Sequence, residues 1–129
     1  MEWQPSEPES LTVIGLPAAD RYAYLIAKVV EHGGIWSLWQ AAGWVLAIDG
    51  ERTLVPVWPH ARFAAAAANG AWAGCEPRSI ALDSWLEQWL PGIEEQGRAV
   101  AAFPTASENG LPVEPATMLR DFDVAFSNY

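Results

Sequence analysis

The chain has 129 residues, of which 16 are acidic and 7 are basic, so it carries a net charge of −9. This length fits one domain with its own buried core, and the negative charge argues against nucleic acid or an anionic membrane surface as a partner, because both attract cationic protein surfaces. The single cysteine, Cys75, excludes an internal disulfide and a cysteine-based metal cluster.

The first ten residues, MEWQPSEPES, are acidic and rich in proline and serine. This composition is typical of a flexible segment, and we expect residues 1–10 to form an acidic arm before a single domain over residues 11–129. The segment is unlike the cationic start of a secretory signal peptide, and no run approaches the roughly 18 apolar residues of a membrane span. We therefore expect a cytoplasmic protein.

A helix and three strands are predicted after the arm. Apolar residues in AADRYAYLIAKVVEH recur at helical spacing, and Gly33-Gly34 ends the pattern. The connections between the strands are too short for parallel crossovers, so we expect an antiparallel meander. The three strands are Ile35–Gln40, Gly43–Asp49 and Thr53–Trp58.

The run TLVPVWPHARFAAAAANG joins the third strand to an alanine-rich helix. Pro59 has a backbone angle suited to a first helical turn and lacks the N–H that this turn leaves unpaired. Trp-Pro-His is therefore first of all a strand-to-helix junction, with His60 in the first turn of the helix.

The rest of the chain alternates strands and helices. A strand over RSIALD precedes a helix that Pro91-Gly92 should end, and a strand over RAVAAFP precedes a last helix that starts near Pro115. This order predicts an α+β fold: an antiparallel sheet of about four to five strands, beginning as a meander, covered by about three to four helices.

Several blocks of the sequence resemble the DUF2750 family of small bacterial proteins, which has no assigned activity. They cover residues 21–105 and read RYAYLIAKV, IWSLWQAAGWVLA, LPVWPH, WAGCEPRSI, LDSWLEQWLPG and AVAAFPT. The resemblance implies a compact domain and supplies no catalytic residue.

No set of residues has the spacing that catalysis or metal binding needs. His32, His60 and Cys75 do not fall at the ligand spacings of zinc sites, and the common phosphate-binding and nucleophile motifs are absent. Cys75 and His60 would suit a nucleophile and its base, but the sequence says nothing about their distance. We expect a protein that is not an enzyme, with no metal ion and no cofactor.

The eight tryptophans are the most unusual feature of the composition. A tryptophan at a strand end or in a loop is often an interface anchor, and loops carry function more often than core strands do. The candidate binding residues are Trp58, His60, Trp72 and Glu76. Of the two tryptophans, we expect Trp58 to belong to the core and Trp72 to be partly exposed.

The sequence thus favours an acidic, non-enzymatic domain that binds a protein partner, in the manner of an adaptor or immunity protein. A basic partner is compatible with the net charge, because opposite charges steer association. The alternative is a small-molecule-binding or enzymatic domain with a shallow pocket lined by tryptophan and histidine. Self-association into a homo-oligomer is left open.

Overall fold

The computed structural model describes residues 3–41 and 43–128, and it confirms the α+β class. The helices are α1 (Glu7–Ile14), α2 (Ala18–His32), α3 (Ala61–Ala67), α4 (Leu82–Ser84), α5 (Leu90–Glu95) and α6 (Pro115–Ser127). The strands are β1 (Gly34–Gln40), β2 (Gly43–Trp44), β3 (Ala47–Asp49), β4 (Arg52–Val57), β5 (Glu76–Ala81), β6 (Ala99–Ala102) and β7 (Leu111–Val113).

The strands form two sheets, where the sequence analysis expected one antiparallel sheet. The first has the order β2-β1-β5 and is antiparallel. The second has the order β3-β4-β6-β7, and its central strands β4 and β6 are parallel. Two backbone hydrogen bonds of 2.8 Å between Trp36 and Trp58 join β1 to the end of β4, so this pair connects the two sheets.

The two predicted hairpins are present, but the strands do not form one continuous meander. β1 pairs with β2 and β3 pairs with β4, both antiparallel as expected. The second predicted strand, however, is interrupted at Val45 and Leu46, and its two parts join different sheets. Val45 is buried while Leu46 is exposed, so the chain passes here from one sheet to the other with Val45 in the core.

The segment predicted as an arm contains the first turn of α1. Ser6 caps this helix, because its hydroxyl oxygen accepts a hydrogen bond of 3.2 Å from the backbone N–H of Glu9. Pro8 is tolerated because the first turn needs no N–H from it. The hydroxyl of Tyr24 on α2 donates to Glu9 at 2.5 Å and ties the two helices together. Met1 and Glu2 lie outside the described residues.

A buried arginine connects α2 to the loop after β6. Arg21 is 1% exposed. Its guanidinium donates to the carbonyl oxygens of Phe103 at 3.1 Å and Leu16 at 2.6 Å, and it pairs with the carboxylate of Glu108 at 3.4 Å. Phe103 has φ 55, the one left-handed backbone among the described residues other than glycine, so Arg21 holds the loop where its backbone is strained.

The helix expected to end at Pro91-Gly92 continues to Glu95. A π-helical turn, Trp85–Trp89, joins α4 to α5 and ends two residues before Pro91. Proline lacks an N–H and its ring collides with the carbonyl of a regular preceding turn. The wider π-helical turn precedes Pro91 at the point where a regular turn would collide with the proline ring. The helix therefore continues past the proline to Glu95.

Candidate functional site

A groove lies against one face of the first sheet, where small residues pair across β1 and β5. Gly34 lies opposite Ala81, and Trp36 lies opposite Ser79. Paired residues project to the same face of a sheet, so the small side chains leave a space of about 570 Å³ beside Trp36. We call this space the Trp–His groove. Its lining residues are Trp3, His32, Gly33, Gly34, Trp36, Pro59, His60, Ser79, Ile80 and Ala81.

One wall of the groove is the C-terminal end of α2 together with the N-terminal segment. Gly33 ends α2 in a left-handed conformation, φ 81, that glycine adopts without strain. This turn directs the chain into β1 and leaves His32 at the groove. The ring of Trp3 stacks on His32, with centroids 4.7 Å apart and planes 4° from parallel, so the wall is an aromatic pair.

The other wall is the junction Pro59–His60. His60 is the N-cap of α3, one position earlier than the first turn in which the sequence placed it. Its Nδ1 accepts a hydrogen bond of 3.0 Å from the backbone N–H of Arg62, so the neutral ring carries its proton on Nε2. Trp3 packs edge-on against His60 with centroids 5.2 Å apart. The same indole thus contacts both histidines.

Among the residues that the structure describes, the groove lining holds no lysine, arginine, aspartate or glutamate. Two charged groups lie at its outer rim: Oε1 of Glu31 lies 3.8 Å from Nε2 of His32, and Nζ of Lys28 lies 5.4 Å from the centroid of the Trp3 ring. The interior of the groove is therefore aromatic and weakly polar, with the hydroxyl of Ser79 and the two imidazoles as its polar side chains.

Of the candidate binding residues, His60 lies in this groove. Trp58 is fully buried, and its Nε1 donates to the carbonyl of Pro104 at 2.8 Å, so it cannot touch a partner of the folded chain. Trp72 is half-buried and packs edge-on against Trp58, with centroids 6.0 Å apart. Glu76 is exposed at the start of β5. The expected burial of Trp58 and partial exposure of Trp72 are confirmed.

Sequence reasoning did not select Trp3, His32 or Trp36 as site residues. Trp3 lay in the predicted arm, and the pattern around Trp36 indicated only that it belongs to a strand. No local pattern indicated that His32, at the end of α2, and His60, after β4, would line the same groove. Their proximity depends on the contacts between β1, β4 and β5.

Cys75 is half-buried, with its Sγ 3.8 Å from Oε1 of Gln40. Within residues 3–41 and 43–128, no three histidine, cysteine, aspartate or glutamate residues cluster closely enough to hold a metal ion. None of the described helices is both long and apolar enough to cross a membrane.

A model of the family described as DUF2750, protein of unknown function, matches residues 22–122 of the chain. No curated protein and no solved structure matches it. The matched region contains β1, β5 and His60, while Trp3 lies before it.

Proposed function

Since the chain belongs to the DUF2750 family, whose function is unknown, we propose on physical grounds that it is a non-enzymatic, cytoplasmic domain that binds an extended segment of a protein partner. The segment lies in the Trp–His groove and pairs with the edge of β5.

The open edge of β5 is the observation that carries this proposal. Within residues 3–41 and 43–128, β5 is an edge strand of its sheet and pairs with β1 alone. The backbone of Trp36 bonds to Trp58 on the far side of β1, so Trp36 and Ser79 form a non-hydrogen-bonded pair and the N–H and C=O of Ser79 point away from β1. Ser79 and Ala81 are exposed and line the groove. An extended segment gains main-chain hydrogen bonds by adding to such an edge.

The groove also has the chemistry to select side chains of that segment. Trp36 is half-buried, so it presents part of an indole face, which attracts apolar groups and cations, whereas the Trp3 ring already stacks on His32 and has Nζ of Lys28 5.4 Å from its centroid. None of the described residues that line the groove is a lysine or an arginine, and the protein as a whole carries a charge of −9. A segment with lysine or arginine is therefore the partner that fits best, and long-range attraction raises its association rate.

Two imidazoles and a serine hydroxyl in one groove favour the second candidate, a small-molecule or enzymatic site. One contact weighs against catalysis. Nδ1 of His60 accepts the hydrogen bond that caps α3, so a base acting through this nitrogen would have to give up the cap.

A peptide selection with matched variants tests the proposal. We expect a random-peptide library to yield peptides with lysine or arginine that bind the wild-type chain and lose affinity as salt is raised. Trp36→Ala should weaken them by about 2 kcal/mol or more, as expected for an interface anchor. Trp39 lies on the opposite face of β1, so Trp39→Ala is the control and should leave binding unchanged. Peptides that bind Trp36→Ala as tightly as the wild type would refute the proposal.

A further inference from the structure

A second groove, of about 330 Å³, lies between the second sheet and α5. It shares no residue with the Trp–His groove, and we call it the Trp–Arg groove. Its lining residues are Trp44, Leu46, Val55, Gln88, Trp89, Gly92, Ile93, Gln96 and Arg98. The volume is near the lower end of the range of about 300–1,000 Å³ found for small-molecule sites.

The apolar side of this groove is formed by tryptophans that hold one another in place. Trp44 and Trp89 meet edge to face, with centroids 5.0 Å apart and planes at 87°. Trp39 packs against Trp44 at 5.1 Å, and Trp85 against Trp89 at 5.7 Å. Four indoles thus form a continuous series, and the two middle ones border the groove as flat apolar surfaces in fixed positions.

The α5 side of the groove contains open space and polar side chains. Gln88, Gly92 and Gln96 recur every four residues, so they share one helical face. A Cβ atom added at Gly92 would meet no atom within 4 Å, which shows that the space beside this glycine is open. The two amides lie on either side of it, each able to donate and accept hydrogen bonds.

Arg98 is the one charged residue among the described residues that line the groove, and the backbone fixes its position. Gly97 has φ 70, its N–H bonds to the carbonyl of Glu94, and the N–H of Arg98 bonds to the carbonyl of Ile93, both at 3.0 Å. These bonds form the Schellman motif that ends many helices. Arg98 is half-buried where α5 ends and β6 begins.

The side chain of Arg98 differs from most cations of this chain in having no partner among the described residues. Arg21, Lys28 and Arg52 pair with carboxylates, Arg62 donates to a carbonyl, and Arg78 lies over the ring of Trp39. In the part of the chain that the structure describes, the side chains of Arg98 and Arg120 make no hydrogen bond, ion pair or ring contact of these kinds. A half-buried guanidinium beside an apolar groove is a recognition group for a planar anion.

We propose that the Trp–Arg groove binds a small carboxylate with a flat, apolar body. The carboxylate pairs with Arg98 and accepts hydrogen bonds from the amides of Gln88 and Gln96. The body lies against Trp44, Trp89 and Leu46, whose side chain is 39% exposed. Charge complementarity selects the acid over neutral and cationic molecules of the same shape.

Titration with naphthylacetate and its neutral counterpart, naphthylacetamide, tests this site by nuclear magnetic resonance of the indole N–H groups. We expect naphthylacetate to shift the signals of Trp44 and Trp89 and not those of Trp3 and Trp36. Its dissociation constant should be at least about tenfold lower than that of the amide, because a hydrogen bond to a charged group contributes about 1.5–3 kcal/mol.

Three variants separate the contributions. Arg98→Gln should reduce the affinity for naphthylacetate to that for the amide, while the matched control Arg120→Gln should change neither. Gly92→Leu, which fills the open space on the helix, should abolish the binding of both. The inference is overturned if naphthylacetate shifts no signal of Trp44 or Trp89, if it shifts Trp3 and Trp36 instead, or if Arg98→Gln binds it as well as the wild type.

Discussion

The two grooves use the same residue type in opposite ways. In the Trp–His groove, the space comes from glycine, serine and alanine on a sheet face, and the indole of Trp3 forms a wall because it stacks on His32. In the Trp–Arg groove, the indoles of Trp44 and Trp89 are braced by other tryptophans, and the space comes from Gly92 on the facing helix.

This difference separates what each groove can recognise. The Trp–His groove is bordered by the edge of β5 and, among the described residues, is lined by no lysine, arginine, aspartate or glutamate, so it offers main-chain pairing and the indole face of Trp36 to a ligand. The described lining of the Trp–Arg groove includes one arginine, so this groove offers a charge pair. A high tryptophan content therefore does not define a function, because the neighbours of each indole determine its role.

The largest expected effect distinguishes the wall of the Trp–His groove from the core beneath it. Trp58 is fully buried and bonded to Pro104, so Trp58→Ala should lower the free energy of unfolding by about 3–5 kcal/mol. Trp36, its backbone partner, is half-buried, and Trp36→Ala should cost about 1 kcal/mol, as an average substitution does. Urea denaturation measures both. Equal losses would mean that Trp36 is core and not a wall.

A second, intermediate effect is expected at alkaline pH and involves α1, the helix next to the Trp3 wall. Burial, and then the carboxylates of Glu9 and Asp121, raise the pKa of Tyr24 and Tyr22 above the ordinary value of 10.0. The folded chain therefore keeps both protons when the unfolded chain begins to lose them. Their contribution to stability is complete below about pH 10 and declines as the pH rises towards the pKa values of the folded state.

We expect the free energy of unfolding to be lower at about pH 11 than at about pH 8. Tyr24→Phe and Tyr22→Phe should each reduce that difference, since each removes one of the raised pKa values. Urea denaturation at both pH values gives the comparison. A wild-type stability that does not fall over this range would contradict the assignment.

The smallest expected effect concerns His60, which serves α3 as well as the groove. Asparagine caps helices as well as the best residues do, so His60→Asn should change the stability by less than about 0.5 kcal/mol, within the range of ordinary surface changes. His60→Ala removes the cap and should cost about 1 kcal/mol. Thermal melts of the two variants decide the matter, and a large loss in the asparagine variant would show that the imidazole itself is needed.

Local patterns in the sequence were sufficient for much of the fold. The periodicity of α2 and the glycine after it concern neighbouring residues, and the structure agrees with both. The strand-to-helix junction is also present, but α3 begins at Ala61, so Pro59 precedes the helix and His60 is its N-cap, whereas the sequence placed both residues in the first turn. The break after Trp44 was missed because it depends on Val45 being buried between two sheets, which no alternation pattern encodes.

The site was harder to predict than the fold for a related reason. Trp58 and Trp72 do pack together, but Trp58 is a core residue and Trp72 packs over it from the surface. The groove beside them needs Trp3, His32 and His60, whose proximity results from the packing of separate elements. Only His60 had a local signal, its position at a strand-to-helix junction.

The parallel pairing of β4 with β6 has a consequence for how the chain folds. The hairpins β1–β2 and β3–β4 close short loops and can form within microseconds. The pair at the centre of the second sheet cannot form until α3, β5, α4 and α5 have been looped out between its strands, which costs more chain entropy. Such distant contacts slow folding. We therefore expect the closing of β4 on β6 to limit the rate, with the Trp–Arg groove completed only after that step, since Val55 and Arg98 come together there.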